Sequence, residues 1–383
     1  MNKKLLKYQQ EHLNNFFNEL NIEEKEKLNK EIDKIDFEFM NKLYKNSFYD
    51  EDIDINKITP LKCVSKIREE YYNLGRDLIL NNKYAVVILA GGNGSRLGIN
   101  RPKGTLEISV SGKNISLFEI YINKLKEVHN KYHVYIDIYI MTSNSNNLDT
   151  LDYFKYNNYF NYPIDKIHFF IQDDLPLMDK WGKILLKDKS HIWFAPNGNG
   201  SVYKSLKDYN FIEKMKEDKI KYVLFTAIDN PLVNLVDFNF IGATLYHKYE
   251  LSSKTIYKNN KEDLAGVFCK YNNKPYVLND KLEEVYDKFR DKNIAYHLIS
   301  IDYLEKFSQI DLKYHRAYKK YNYLDNLGNL VVVDKPNAFK FEKFIYDAFY
   351  YAKDMLLYRV NSDEFYPIKN KKDIKKVEDF LNK

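Results

Sequence analysis

The chain has 383 residues, with 60 basic against 54 acidic side chains and a formal charge of +6. That balance does not by itself point to nucleic acid as a partner; coding bias toward Lys, Asn and Tyr is the preferred account of it, and a mildly positive pocket for phosphorylated substrates would also suffice. With 44% hydrophobic and 16% aromatic residues, the chain can bury a sizeable core, as one large domain with flanking parts or as two to three domains.

The two cysteines, Cys63 and Cys269, have no metal-ligand spacing around them. That excludes a disulfide scaffold or a zinc site and fits a reducing compartment. The basic start, Met1 to Lys7, lacks the apolar stretch of a signal peptide. No apolar run approaches the roughly 20 residues of a membrane helix. A cytoplasmic protein without a membrane partner is expected, and nothing in the composition fixes an oligomeric state.

Leu13, Phe16, Phe17 and Leu20 fall at i, i+3, i+4 and i+7 and predict a first amphipathic helix. A second is predicted from Glu23 to Tyr44 and a third from Lys62 to Ile79, together an N-terminal helical cap. At Tyr84 the pattern changes. Tyr84-Ala85-Val86-Val87-Ile88-Leu89-Ala90 is a short continuous apolar run, as in a strand covered on both faces. Further strands are predicted at Tyr135 to Met141, Ile167 to Ile171, Tyr222 to Ile228 and Ala265 to Cys269, with helices at Leu117 to Val128 and Leu206 to Lys216. This alternation predicts an α/β fold with a mostly parallel wound sheet, whose ligands bind beyond the carboxyl ends of the strands. Asn144 to Asn147 reads as a loop, and the lysine-rich tail after Asn370 as a solvated terminal helix.

Gly91-Gly92-Asn93-Gly94-Ser95-Arg96-Leu97-Gly98 follows the first buried strand directly. Glycines let a turn bring its N–H groups against phosphate oxygens. The spacing matches neither the dinucleotide fingerprint nor the Walker loop, because Leu97 and the order Lys103-Gly104 stand in the way. Taken alone the turn is also compatible with a purely structural role. Arg96 and Lys103, seven positions apart, supply two cations that would neutralise a triphosphate and a departing pyrophosphate. Asp229-Asn230 at the end of a predicted strand offers a hard oxygen ligand for Mg²⁺ beside such a site, though such a pair also serves as a helix cap or turn.

Leu89 to Gly98, with Pro102-Lys103-Gly104, resembles the signature of the eukaryotic-type UDP-sugar pyrophosphorylases. The likeness continues in order along most of the chain, from Tyr8-Gln9-Gln10-Glu11-His12-Leu13 onward. Gln172, with Leu175-Pro176, is similar to a stretch whose glutamine contacts uracil. Ala195 to Tyr203, around Asn197-Gly198-Asn199-Gly200, resembles the N-acetylhexosamine branch. Asn293-Ile294-Ala295-Tyr296-His297, Lys335 to Phe344 and Phe365 to Asn370 match further family stretches, and His315 to Lys320 matches a family helix. The family's sugar-binding glutamate is replaced by Asn279, which keeps an acceptor and loses the charge. Only 13 residues follow Asn370, too few for the β-rich C-terminal domain of larger relatives.

The resemblance implies a Rossmann-like nucleotidyltransferase domain over 81–350, a helical cap over 1–80 and a short segment over 351–383. It implies transfer of a uridylyl group from UTP to a sugar 1-phosphate, with Mg²⁺, and favours N-acetylglucosamine 1-phosphate. The same reaction on glucose or galactose 1-phosphate, or a non-catalytic UDP-sugar sensor, are the alternatives. By this likeness Leu89, Ala90, Gly91, Gly92, Gln172, Gly198 and Asp229 bind nucleotide, with Asp229 also the metal ligand. Asn199, Gly266, Asn279 and Asn293 bind the sugar, and Arg96, Lys103 and Lys340 carry the phosphate chemistry. His297 is expected to be a packed, hydrogen-bonded histidine.

Overall fold

The computed structural model describes residues 3–46, 53–257, 266–278 and 288–382. By compactness the chain forms two units that interleave in sequence. One comprises Met1–Ile53, Asp173–Gly200 and Leu312–Phe344, and the larger one Asp54–Gln172, Ser201–Asp311 and Ile345–Lys383.

The larger unit is built on a sheet whose main path runs through eight strands. In order these are Lys62–Val64, Leu356–Arg359, Leu251–Tyr257, Asp291–Ser300, Tyr222–Ala227, Tyr84–Leu89, Asp137–Ser143 and Ile167–Gln172. Five of the seven neighbouring pairs are parallel; Asp291–Ser300 runs antiparallel to both its neighbours. Tyr84–Leu89 and Asp137–Ser143 are buried at every position, as their unbroken apolar character requires when both faces are covered. The helix Leu117–Tyr132 links them, and Ser116 Oγ caps it by accepting from Glu119 N at 3.1 Å. From Tyr84–Leu89 the chain winds outward through Asp137–Ser143 to Ile167–Gln172, then returns to add Tyr222–Ala227 on the other side. That reversal opens a crevice at the carboxyl ends of the central strands, where α/β sheets bind ligands.

Helix Glu69–Leu80 crosses Phe238–Tyr246 with backbone nearly touching backbone. A Cβ on Gly75 would stand 2.1 Å from Phe238 O, and one on Gly242 would stand 1.7 Å from Tyr71 O. Neither neighbour is a side chain that can swing away. Gly242→Ala is therefore expected to destabilise the protein by about 2–3 kcal/mol through overpacking, read as a lower urea midpoint; an unchanged midpoint would show that the helices separate freely.

His297, on Asp291–Ser300, is fully buried and shares a 2.6 Å hydrogen bond with Ser253 Oγ. It is a packed histidine, and burial pushes its pKa down to about 3. Between pH 6.5 and 3 the unfolded chain then takes up a proton that the folded one refuses. Stability from this group is present above pH 6.5 and falls with decreasing pH by up to about 1.4 kcal/mol per pH unit. Urea titrations from pH 7 to 4 should show this slope, and His297→Asn should flatten it; parallel profiles for the two proteins would contradict the assignment.

The smaller unit packs Leu5, Leu13, Phe16, Leu20, Leu28, Ile32 and Met40 against Met178, Ile184, Leu186, Ile192, Phe339 and Phe341. Short sheets carry this second core, among them His315–Lys319, Ala338–Glu342 and Met178–Asp179.

Several predicted elements take another form. The first amphipathic helix is two 3₁₀ turns, Glu11–Asn14 and Phe17–Glu19, although Leu13, Phe16 and Leu20 are buried as the spacing implies. The second splits into Ile22–Lys34 and Phe37–Asn46, because Asp36 starts a new helix by accepting from Phe39 N at 2.9 Å. Lys62–Val64 is a strand paired with Leu356–Arg359, and helix begins only at Glu69. Leu206 to Lys216 is broken by Asn210 at φ 57° into Val202–Asp208 and Phe211–Glu217. His315–Lys319 is a strand antiparallel to Ala338–Glu342 rather than a helix. The tail helix Lys371–Leu381 is docked, burying Val377 and receiving Ser109 N on Glu378 Oε1 at 2.8 Å.

Candidate active site

The glycine turn leaves the central strand without a break in pairing, since Ala90 N donates to Met141 O at 2.8 Å. The chain then folds back on itself. Gly94 N donates to Arg101 O and Lys103 N to Gly92 O, each at 3.0 Å, which returns Lys103 to the turn. The last glycine, Gly98, ends the 3₁₀ turn Ser95–Leu97 at φ 76°, a left-handed position that disfavours side chains. The side chain of Arg96 lies outside the described residues.

Four strand ends meet there. Leu89 pairs with both Met141 and Ala227, so Ile228-Asp229 emerges beside Ala90-Gly91. Ser143 pairs with Gln172 at the same edge. The Gln172 amide rests on Gly91, where a Cβ would stand 1.9 Å from Nε2. Lys103 Nζ and Asp229 Oδ2 form an ion pair at 3.1 Å, with the two side chains 16% and 29% exposed. Leu89, Ala90, Gly91, Gly92, Lys103, Gln172 and Asp229 are thus gathered at the carboxyl ends of these strands.

Gly266 and Asn293 are also neighbours within this unit: Asn293 N donates to Gly266 O at 2.9 Å, and its Oδ1 accepts from Ala295 N at 2.9 Å. Asn279 lies outside the described residues. Gly198, Asn199 and Lys340 belong to the smaller unit. There the asparagine-glycine loop is laid against the stretch after Lys340, with Lys343 N donating to Asn197 O at 2.7 Å and Gly200 N to Lys343 O at 2.9 Å. Gly198 has φ 94°, and a Cβ on it would stand 2.3 Å from Lys343 O. Lys340 Nζ pairs with Glu342 Oε1 at 2.6 Å.

The groups that hold the strand ends were not legible in the sequence. Asn146, from the stretch read as a plain loop, is buried and donates to Ala90 O at 3.0 Å and Gly92 O at 3.3 Å. Tyr121 OH shares its one proton between Ala227 O at 2.7 Å and Asn230 O at 2.8 Å, bracketing Asp229. Burial, with the Asp229 charge added, pushes its phenol far above the usual range, so it stays a neutral donor. Lys124 Nζ donates to Pro231 O and Val233 O at 2.5 and 2.6 Å, and burial lowers its pKa to about 8. Their position just past a strand end, or facing one, is the signal that marks them.

A glycine turn, a strand-end carboxylate and a lysine paired across the switch point define an α/β nucleotide-binding protein of the nucleotidyltransferase kind. The chain belongs to the family described as UTP–glucose-1-phosphate uridylyltransferase, which matches residues 34–381. The UDP-N-acetylglucosamine pyrophosphorylase of Saccharomyces cerevisiae is 33% identical over 329 residues, covering 79% of this chain and 68% of that protein. The crystal structure of the Trypanosoma brucei uridine diphosphate N-acetylglucosamine pyrophosphorylase in complex with inhibitor superposes with a TM-score of 0.79 at 23% identity, over 98% of this chain and 83% of that one. For the UDP-glucose pyrophosphorylase from Leishmania major, solved in open and closed forms, the TM-score is 0.66 at 14% identity, over 89% and 74%. Among the described residues no helix is long and apolar enough to cross a membrane.

Proposed function

We propose that the chain transfers the uridylyl group of UTP to N-acetylglucosamine 1-phosphate, forming UDP-N-acetylglucosamine and pyrophosphate. The observation that carries this reading is the Lys103–Asp229 pair on the glycine turn, with the Gln172 amide against Gly91. The yeast relative supports the sugar, as does the Asn197-Gly198-Asn199-Gly200 loop.

The sugar-phosphate oxygen attacks the α-phosphorus in line, the bond from that phosphorus to the bridging oxygen breaks, and pyrophosphate leaves with the electron pair. No enzyme nucleophile is needed. The barrier is largely charge repulsion, which positioning and electrostatic relief lower. Gly91 and Gly92 present backbone to the phosphates, Gln172 offers donor and acceptor to the uracil edge, and Lys103 and Arg96 offset charge on the leaving group. Gly266 and Asn293 serve the sugar, with Asn279 alongside them on the resemblance alone. Lys340, Gly198 and Asn199 are assigned phosphate, nucleotide and sugar roles on the same ground.

Among the described residues no cluster of three or more His, Cys, Asp or Glu side chains could hold a metal unaided. Asp229 still fits Mg²⁺, which binds through one or two carboxylates together with substrate phosphates and waters. When bound, that ion would neutralise phosphate charge. A cytoplasmic location completes the reading, supported by the free Cys63 and Cys269.

Pyrophosphate release with UTP, Mg²⁺ and a panel of sugar 1-phosphates tests the substrate. N-acetylglucosamine 1-phosphate should give the highest kcat/KM; a preference for glucose or galactose 1-phosphate would reassign the sugar.

A further inference from the structure

We infer that Lys371 is a further phosphate-binding residue, held over the glycine turn by the segment Glu364–Asn370; this rests on reading that turn as the triphosphate site. The segment is tied to the strand end that carries Asp229. Asn230 is 2% exposed, and both ends of its amide bond this stretch: Nδ2 donates to Glu364 O, and Oδ1 accepts from Tyr366 N, both at 3.1 Å. Ile368 N donates to Asp229 O at 2.8 Å. Glu364 itself is paired with the buried Lys254 at 2.5 Å. A polar side chain so fully committed to another segment's backbone fixes that segment rather than a turn of its own.

Beyond the tie, the chain is fixed a second time. Asn370 and Asp373 form a capping box, and the helix Lys371–Leu381 docks through Val377 and Glu378 on the hairpin that follows Lys103. Held at both ends, residue 371 is placed beside the turn, and its side chain runs toward Gly98. Its Cε and Nζ each lie 2.9 Å from where a Cβ on Gly98 would stand. The ammonium thus lies directly against the turn at Gly98, whose φ of 76° already favours glycine.

The electrostatics call for such a group. A nucleoside triphosphate carries several negative charges, and Lys103 shares its charge with Asp229. Lys371 is exposed and makes no ion pair among the described residues. The first turn of its helix adds a partial positive charge on the same side. Lys371 is thus poised to take a β- or γ-phosphate oxygen of UTP.

The test compares wild type with Lys371→Ala, Lys371→Arg and Lys375→Ala, the last removing the same charge from an exposed position on the same helix. Binding of UTP with Mg²⁺ is measured by calorimetry at low and high salt, and KM and kcat are measured with the sugar 1-phosphate. Lys371→Ala should weaken UTP binding about five- to tenfold at low salt, with the loss falling on KM rather than kcat and shrinking at high salt. Lys371→Arg should restore most of it, and Lys375→Ala should resemble wild type. Equal UTP affinity for wild type and Lys371→Ala, or equal losses at 371 and 375, would overturn the inference. Wild type that binds UTP yet transfers nothing would overturn the proposed reaction alone, since the calorimetry still decides Lys371; wild type that ignores UTP would overturn both.

Discussion

Lys103→Ala is expected to lower kcat about 10²–10³-fold while leaving the fold intact. That is the loss seen when one preorganised donor to developing charge is removed. The backbone of Lys103 is fixed by its N–H to Gly92 O at 3.0 Å, so the substitution removes an ammonium without loosening the turn. Asp229, left without its partner, keeps 29% of its side chain in water and is not stranded as a buried charge. Stability should therefore barely move. Rates like those of wild type would remove Lys103 from the chemistry; a rate loss accompanied by an equal loss of stability would make its role structural.

The second large effect is on stability. Lys254 is 2% exposed and lies between Asp237 and Glu364, at 2.7 and 2.5 Å, with Nζ 5.0 Å from the centre of the Tyr296 ring. Asp237 also caps the helix Phe238–Tyr246. Lys254→Met keeps most of the volume but leaves two carboxylates facing one another. Breaking a buried pair on one side costs about 3–5 kcal/mol. Glu364 is a third exposed, so the lower end, about 3 kcal/mol, is expected in urea unfolding. Since Glu364 begins the segment that reaches Gly98, UTP affinity should fall as well. A loss under about 1 kcal/mol would mean that the carboxylates find water or protons at little cost.

What the sequence revealed depended on whether the signal was local. The central strand was readable because six consecutive apolar residues, Tyr84–Leu89, leave no face for water. The glycine turn was readable because Gly91 must admit the Gln172 amide and Gly98 a positive φ. The spacing of Leu13, Phe16, Phe17 and Leu20 puts them on one face, and three of the four are buried with Phe17 half-buried, but a 3.6-residue spacing over one or two turns does not distinguish α-helix from successive 3₁₀ turns. His315–Lys319 took its form from pairing with Ala338–Glu342, a partner about twenty residues away that no window shows. The packing of Asn197–Gly200 against Lys343, and of Lys62–Val64 against Leu356–Arg359, depends on segments distant along the chain. Asn230 is the sharpest case: beside Asp229 it reads as a turn residue, yet its amide secures a segment more than 130 positions later.

The most direct measurement follows two labels on UTP during turnover with N-acetylglucosamine 1-phosphate and Mg²⁺. Label at the α-phosphorus should move into a UDP-sugar, and label at the γ-phosphorus should leave as pyrophosphate, both only when the sugar phosphate is present. Release of orthophosphate, or consumption of UTP that ignores the sugar phosphate, would contradict uridylyl transfer at this site.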